Sequence, residues 1–322
     1  MFFMNSSASG PAPHPGTAVD LTKFAWLSIA AALGTMALKI VAWWMTGSVG
    51  LLSDALESSV NLVAAIIALI SLRAAAMPAD ANHHYGHSKA EYFSAAVEGI
   101  MIFVAATAIC FTAIQRLLDP KPLDNVGPAL AISLVAGVLN GAVALVLIRA
   151  GKTHRSLTLT ADGRHLMTDV WTSIGVVVGV ALVLITGWEI LDPIVALAVG
   201  INIIITGWKL IKESIDGLMD VSWPKEENTR LAEIVAGLTP EPTAAHALRT
   251  RESGQQRFTS MHLLVPGTWT VKRSHDLAEE IEKAIRAEFG EVSISIHIEP
   301  SEDPRSYDDY EHEVAIPTEP TP

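Results

Sequence analysis

Residues 49–72 read VGLLSDALESSVNLVAAIIALISL, an apolar run of bilayer length that nevertheless carries Asp54, Glu57 and Asn61. A hydrocarbon core about 30 Å thick takes roughly 20 residues of helix, and lipid offers backbone groups no partner, so a run of this kind crosses a membrane as a helix. Working outward, five more runs of similar length stand at about 22–45, 92–117, 127–149, 165–187 and 193–213. Half of the 322 residues are hydrophobic and 17% are charged, against about 25% charged in ordinary soluble domains. The fold class expected is an α-helical membrane protein of six transmembrane helices.

Six crossings leave both termini on one side. Arg73 and Lys89 flank the 2–3 connection, Arg149, Lys152, Arg155 and Arg164 the 4–5 connection, and Lys209 and Lys212 the end of span 6, while the opposite loops hold Arg116 and Lys121. The positive-inside rule places both termini in the cytoplasm, and a bacterial inner membrane is the expected location. The N-terminal segment lacks the basic region and cleavage site of a signal peptide, so span 1 is read as a retained helix.

After Pro224 the composition becomes that of a small soluble domain. KEENTRLAEIVAGL (225–238) reads as a helix, AHALRTRES and QRFTSMHLLV as a hairpin around Gly254, 271–288 as a second helix and SISIHIE as a closing strand. The expected organisation is a disordered N-terminus (1–20), a membrane domain (21–213), a linker (214–224), a cytoplasmic α-β-β-α-β domain (225–300) and a tail (301–322). That tail holds seven acids against Arg305 and reads as disordered. It supplies half of the net charge of −12; no basic patch suggests nucleic acid. The single cysteine, Cys110, excludes a disulfide within the chain or a thiolate zinc site, so any metal site uses histidine and carboxylate.

Asp54, Glu57 and Asn61 fall within about 60° of one another on a helix. In span 5, DGRHLMTDV puts His165 and Asp169 at i and i+4, on one face. Ionisable groups at membrane depth are costly and mark ion paths or relays. Glu57 with Asn61, facing His165 with Asp169, offers one nitrogen and three oxygens to a divalent transition metal; the bland alternative is hydrogen bonding between helices, or a His165 at the wet end of its span. Lys39 in span 1 and Glu98 in span 3 are read as structural. In the 2–3 connection, PADANHHYGHSKAE spaces Asp80, His83 and His87 as ligands, with His84 spare. In the soluble domain, alternation in the closing strand sets His297 and Glu299 on the face away from Ile294, Ile296 and Ile298, and His246, His262 and His275 complete a candidate cytoplasmic site.

Together GSVGLLSDALES, PADANHHYGHSKAE, HLMTD, AHALRTRESG and ISIHIE resemble the cation diffusion facilitators, metal/proton antiporters, over about residues 20–300. The resemblance implies transport rather than enzymatic chemistry: a divalent metal, zinc foremost and Co, Fe, Mn or Ni as alternatives, moved against protons across the bilayer by a homodimer. It implies a transmembrane site at Glu57, Asn61, His165 and Asp169, a loop site at Asp80, His83 and His87, and a binuclear cytoplasmic site at His246, His262, His275, His297 and Glu299. It also implies a Lys89–Asp220 pair near the dimer interface. The family pattern has Asp or His, then Asp, where this chain has Glu57 and the neutral Asn61, so Asp54 is a further candidate ligand. With Glu57 and Asp169 ionised and His165 neutral the site carries −2, which one divalent cation neutralises. A metal-sensing membrane protein would need an output domain, and an intramembrane metallohydrolase would build on a metal-bound water without an H-E-x-x-H motif; both are weaker readings.

Overall fold

The computed structural model describes residues 19–46, 49–118, 126–188, 190–307 and 313–316; within these, the side chains of 42, 43, 45, 46, 49–57, 60, 126–130, 133, 176, 180, 181, 184 and 192 lie outside the description. Two compact units result, Val19–Met219 and a second from Asp220 onward.

The first unit contains six long helices: α1 (Thr22–Thr46), α2 (Val49–Ala75), α3 (Ala90–Leu118), α4 (Val126–His154), α5 (Leu157–Thr186) and α6 (Leu191–Leu218). By length and apolarity, stretches of α1, α3, α4 and α6 qualify as membrane spans, and α2 contributes a shorter apolar stretch, Asn61–Ala75. The uninterrupted described stretches of α2 and α5 are shorter, because side chains within both helices lie outside the description. Phe93, Val138, Leu145 and Ile185 stand largely exposed, an arrangement stable in lipid and costly in water.

The helices divide into two packed groups. Leu21, Ala25, Ile29, Ala65, Leu69, Val143, Leu147, Leu159 and Leu166 join α1, α2, α4 and α5 in one core. A second core of Ala95, Ile102, Ala106, Ala161, Ile203 and Leu210 ties α3 and α6 together and seats them on α5. At the α3–α6 crossing the backbones touch through glycine. A Cβ on Gly99 would lie 3.2 Å from the Gly207 carbonyl oxygen, and one on Gly207 would lie 3.0 Å from the Phe103 amide nitrogen, so small residues are what permit this crossing.

Helix α5 begins eight residues before the span edge expected at 165. Ser156 caps it, its hydroxyl oxygen accepting from the Leu159 amide while the hydroxyl donates to the buried Glu91 of α3. The Thr158 amide and hydroxyl also donate to Glu91, to its carboxylate at 3.4 Å and its carbonyl at 3.2 Å. A carboxylate at a helix N-terminus satisfies amides that have no intrahelical partner. The polar start of this helix, read as a loop from composition, is therefore inside the bundle, and His165 lies two turns into the helix rather than at a wet end.

The second unit follows the expected order: α7 (Lys225–Leu238), β1 (Ala244–Ser253), β2 (Gln256–Val265), α8 (Val271–Phe289) and β3 (Ser293–Pro300). β1 and β2 are antiparallel, and β3 joins β2 in parallel through α8, in sheet order β1-β2-β3. Leu231, Val235, Leu248, Met261, Leu263, Ile281 and Ile285 form its core, with Ile294, Ile296 and Ile298 packed against it. Two boundaries move. Trp223, in the expected linker, is buried in this core, and the Val221 carbonyl accepts from the Glu252 amide. Of the tail, Pro304–Tyr307 forms a 3₁₀ turn, the Val314 amide donates to the Leu248 carbonyl at 2.8 Å, and Val314 and Ile316 pack on the core. The N-terminal expectation for residues 1–18 lies outside the described residues.

Gly207→Val should force α3 from α6 and cost about 1–3 kcal/mol through overpacking. Thermal unfolding of the full chain in detergent should show a midpoint several degrees lower, whereas Gly237→Ala, with open space around its Cβ, should leave the midpoint unchanged.

Candidate metal centres

Within the membrane half, Asn61 of α2 sits between two residues of α5. Its Nδ2 donates to Asp169 Oδ2 at 2.6 Å, and its Oδ1 is 2.8 Å from His165 Nε2. A carboxylate only accepts, so the amide faces Asp169, its oxygen faces His165, and His165 must carry its proton on Nε2. In that tautomer the lone pair is on Nδ1, which is buried and has no hydrogen-bond partner among the described residues. Three of the four sequence-derived residues thus meet. Glu57 and Asp54 lie on α2, one and two turns before Asn61, and their side chains fall outside the described residues.

A fourth residue enters that sequence reasoning missed. Asn140 of α4 is 3% exposed and donates through Nδ2 to the same Asp169 oxygen at 2.9 Å; its Oδ1 is buried with no hydrogen-bond partner among the described residues. The signal was present as the lone amide in LVAGVLNGAVALV, a polar side chain in an apolar span. Its weight was missed because it has no i+4 partner.

In the connection between α2 and α3, Asp80, His83 and His87 offer ligand atoms all within 4.8 Å of one another. Asp80 Oδ1 accepts from the amides of Asn82 (2.8 Å) and His83 (2.7 Å) and lies 3.2 Å from His83 Nδ1; His87 Nε2 is 3.6 Å from Oδ2. The two amide donors hold the Asp80 carboxyl below its ordinary value. His84 is exposed and outside the group.

In the second unit, strand register does the assembling. His246 is opposite His262, and His262 opposite His297, one histidine on each of three neighbouring strands. Glu299 reaches across all three: its Oε2 is 3.3 Å from His246 Nε2 and 3.4 Å from His262 Nδ1, and its Oε1 is 3.3 Å from His297 Nδ1. His246, His262 and Glu299 form the compact group, with His297 the more exposed. A bulge follows His246, where register shifts and Ala247 takes φ 51°; such bulges re-aim side chains next to sites. His275 lies apart from the compact group, on α8 with its Nε2 3.8 Å from Glu279. Lys89 Nζ donates to the Leu218 carbonyl at 3.2 Å in the first unit, and Asp220 accepts from Arg251 at 3.0 Å in the second.

Comparison with known proteins gives these clusters a context. The cation efflux transmembrane domain matches residues 25–219, and the cytoplasmic domain of cation efflux proteins matches 223–301. The chain belongs to the cation efflux, or cation diffusion facilitator, family. An uncharacterized transporter of Synechocystis sp. is 52% identical over 284 residues, 88% of this chain and 92% of that protein. The cation-efflux pump FieF of Klebsiella pneumoniae is 32% identical over 286 residues, 89% and 94% of the two chains. Among solved structures, the Zn form of the zinc transporter CzrB is 33% identical, covering 25% of this chain and 91% of that chain, with a TM-score of 0.22. Family membership makes the chain a metal-cation transporter of the membrane, not an enzyme.

Asn140→Ala removes an amide donor to the half-buried Asp169 carboxylate, a hydrogen bond to a charged group worth about 1.5–3 kcal/mol. The unfolding midpoint of the detergent-solubilised chain should fall by several degrees, and Asn140→Gln, which keeps the donor on a longer stem, should recover part of the loss.

Proposed function

We propose that this chain exports a divalent transition-metal cation from the cytoplasm in exchange for protons. The cation is held between α2 and α5 by Glu57, Asn61, His165 and Asp169, with Asp54 in reach of the same stripe. The observation that carries this reading is the convergence of Asn61, His165 and Asp169 from two helices at 2.6 and 2.8 Å. Zinc is the expected cargo, with Co, Fe, Mn or Ni as alternatives, because the donors combine an imidazole with oxygens.

Asn61 bonds to both His165 and Asp169. For His165 to ligate through Nε2, the proton there must leave or move to Nδ1, and Asn61 must release the ring. Metal binding is then coupled to proton movement, since only neutral imidazole and ionised carboxylate are ligands. As pH falls, protons compete at His165, Glu57 and Asp169, and affinity for metal drops. Protons entering from outside expel the metal there, and helices rocking about a fixed midplane site return it to the inward-open state.

The remaining clusters fit regulation. Metal at His246, His262, His275, His297 and Glu299 tightens a homodimer of the cytoplasmic domains, and Asp80, His83 and His87 form a weaker loop site. Lys89 and Asp220 pair near the dimer interface, and both termini lie in the cytoplasm of a bacterial inner-membrane protein.

Proteoliposomes with an imposed pH gradient test the reading, using Zn, Co, Fe, Mn and Ni with the wild type, Asp169→Asn, Asn61→Asp and Asp54→Ala. Gradient-driven uptake that Asp169→Asn abolishes, with metal preference altered in Asn61→Asp, is the expected result. Uptake unaffected by Asp169→Asn would overturn the assignment, and loss in Asp54→Ala with a silent Asn61→Asp would shift the ligand set one turn along α2.

A further inference from the structure

Two buried carboxylates outside the metal site remain without a role. Glu98 of α3 and Asp162 of α5 are 0% and 1% exposed. Each binds a single serine: Ser94 Oγ donates to Glu98 Oε1 at 3.4 Å, and Ser28 Oγ of α1 donates to Asp162 Oδ1 at 3.0 Å. The second oxygen of each, Glu98 Oε2 and Asp162 Oδ2, is buried with no hydrogen-bond partner among the described residues. The charge acting on Glu98 is that of Asp162.

The charged groups of the surrounding helices are engaged elsewhere or exposed: on α4, Arg149 and Lys152 are exposed and the His154 ring lies 6.4 Å from that of Phe24. On α1, Lys23 lies over Phe24, and on α2, Arg73 lies over Trp26. Arg164 of α5 pairs with Glu213 of α6 at 2.7 Å, and Glu91 of α3 binds Ser156. Lys209 and Lys212 of α6 are exposed, and His165, three residues beyond Asp162, faces Asn61. Ala161, next to Asp162, packs in one cluster with Ala95 and Ile102, about a turn on either side of Glu98, so ionising both carboxylates would set two like charges in one dry seam, unfavourable on both desolvation and repulsion. The unfilled oxygens call for a proton.

Their place in the fold gives that proton a consequence. Glu98 neighbours Gly99, where α3 is locked to α6, while Asp162 belongs to the four-helix group; the pair therefore spans the seam between the two packed groups. Ala95, Ile102 and Ala161 close that seam with at most 1% exposure. At 1.5 Å per residue, Asp162 and Glu98 lie about 8 and 12 Å from the starts of α5 and α3, the ends assigned to the cytoplasm. His165 is the next turn inward.

We propose that Glu98 and Asp162 are a proton-binding pair that latches the cytoplasmic end of the α3–α5 seam. With a proton on the pair the seam is dry and closed. When the carboxyl O–H bond breaks and its proton passes to cytoplasmic water, two like charges face each other and the seam hydrates and parts, opening the route toward His165. The idea rests on the antiport reading for its purpose, adding a proton site separate from the metal ligands.

The test needs no transport, so it succeeds or fails independently of the vesicle assay. In a full-length Cys110→Ala background, Ala161→Cys reports the seam to a membrane-impermeant maleimide in metal-free buffer, normalised to Asn82→Cys in the exposed loop. Between about pH 6 and about pH 8 the normalised labelling rate should rise at least about fivefold with the native pair and less than about twofold with Glu98→Gln/Asp162→Asn, which cannot ionise. A flat profile with the native pair, or an equal rise in the neutral variant, would overturn the latch. If the cysteine chain does not fold, hydrogen exchange of residues 94–104, corrected for intrinsic rate, reads the same contrast between the wild type and the neutral variant.

Discussion

One oxygen of Asp169 receives amide N–H groups from two helices, Asn61 of α2 and Asn140 of α4. In water such contacts would be exchanged freely for solvent. In a bilayer the solvent is missing, so a polar group at depth must find its partner in the protein or bear the full cost of desolvation. The two amides and the imidazole that Asn61 also binds therefore fix the relative rotation of α2, α4 and α5 more narrowly than leucine and alanine packing could. Apolar side chains packed against lipid tails have little preference between neighbours.

The same logic runs the length of α5. Ser156 and Thr158 bind Glu91 of α3, Asp162 binds Ser28 of α1, Arg164 binds Glu213 of α6, His165 binds Asn61 of α2, and Asp169 binds Asn61 and Asn140 of α4. One helix holds every other helix of its unit by a polar bond, on successive turns. Under the proposed mechanism, a change at His165 or Asp162 would alter contacts made to different neighbours by one element.

Periodicity made much of this readable. The i, i+4 spacing of His165 and Asp169, and the polar stripe holding Asn61, announced which faces of α2 and α5 meet, and alternation in SISIHIE separated the histidine face from the isoleucine core. Other features needed three dimensions. Asn140 has no helical partner in its own span, so only the approach of α4 gives it meaning. The first turns of α5 look like a loop because Ser156, Thr158, Thr160 and Asp162 are polar, and nothing local reveals that Glu91, more than sixty residues earlier in the chain, receives them. Val314 and Ile316 are two side chains in an acidic tail, and composition averages them away while a sheet edge does not.

The clusters differ in what binding a cation would disturb. At Asp169, the Asn61 amide, His165 Nε2 and one Asp169 oxygen already serve protein hydrogen bonds, so a cation there would displace contacts that also orient helices. In the β-sheet, Glu299 sits 3.3–3.4 Å from three histidines placed by strand register, and a cation there would replace contacts within a sheet whose geometry is set by its backbone. A site whose occupancy competes with helix packing is suited to changing conformation, and one built on a ladder of backbone hydrogen bonds to binding without moving. The proposed division of labour between transport and regulation matches the element on which each cluster is built.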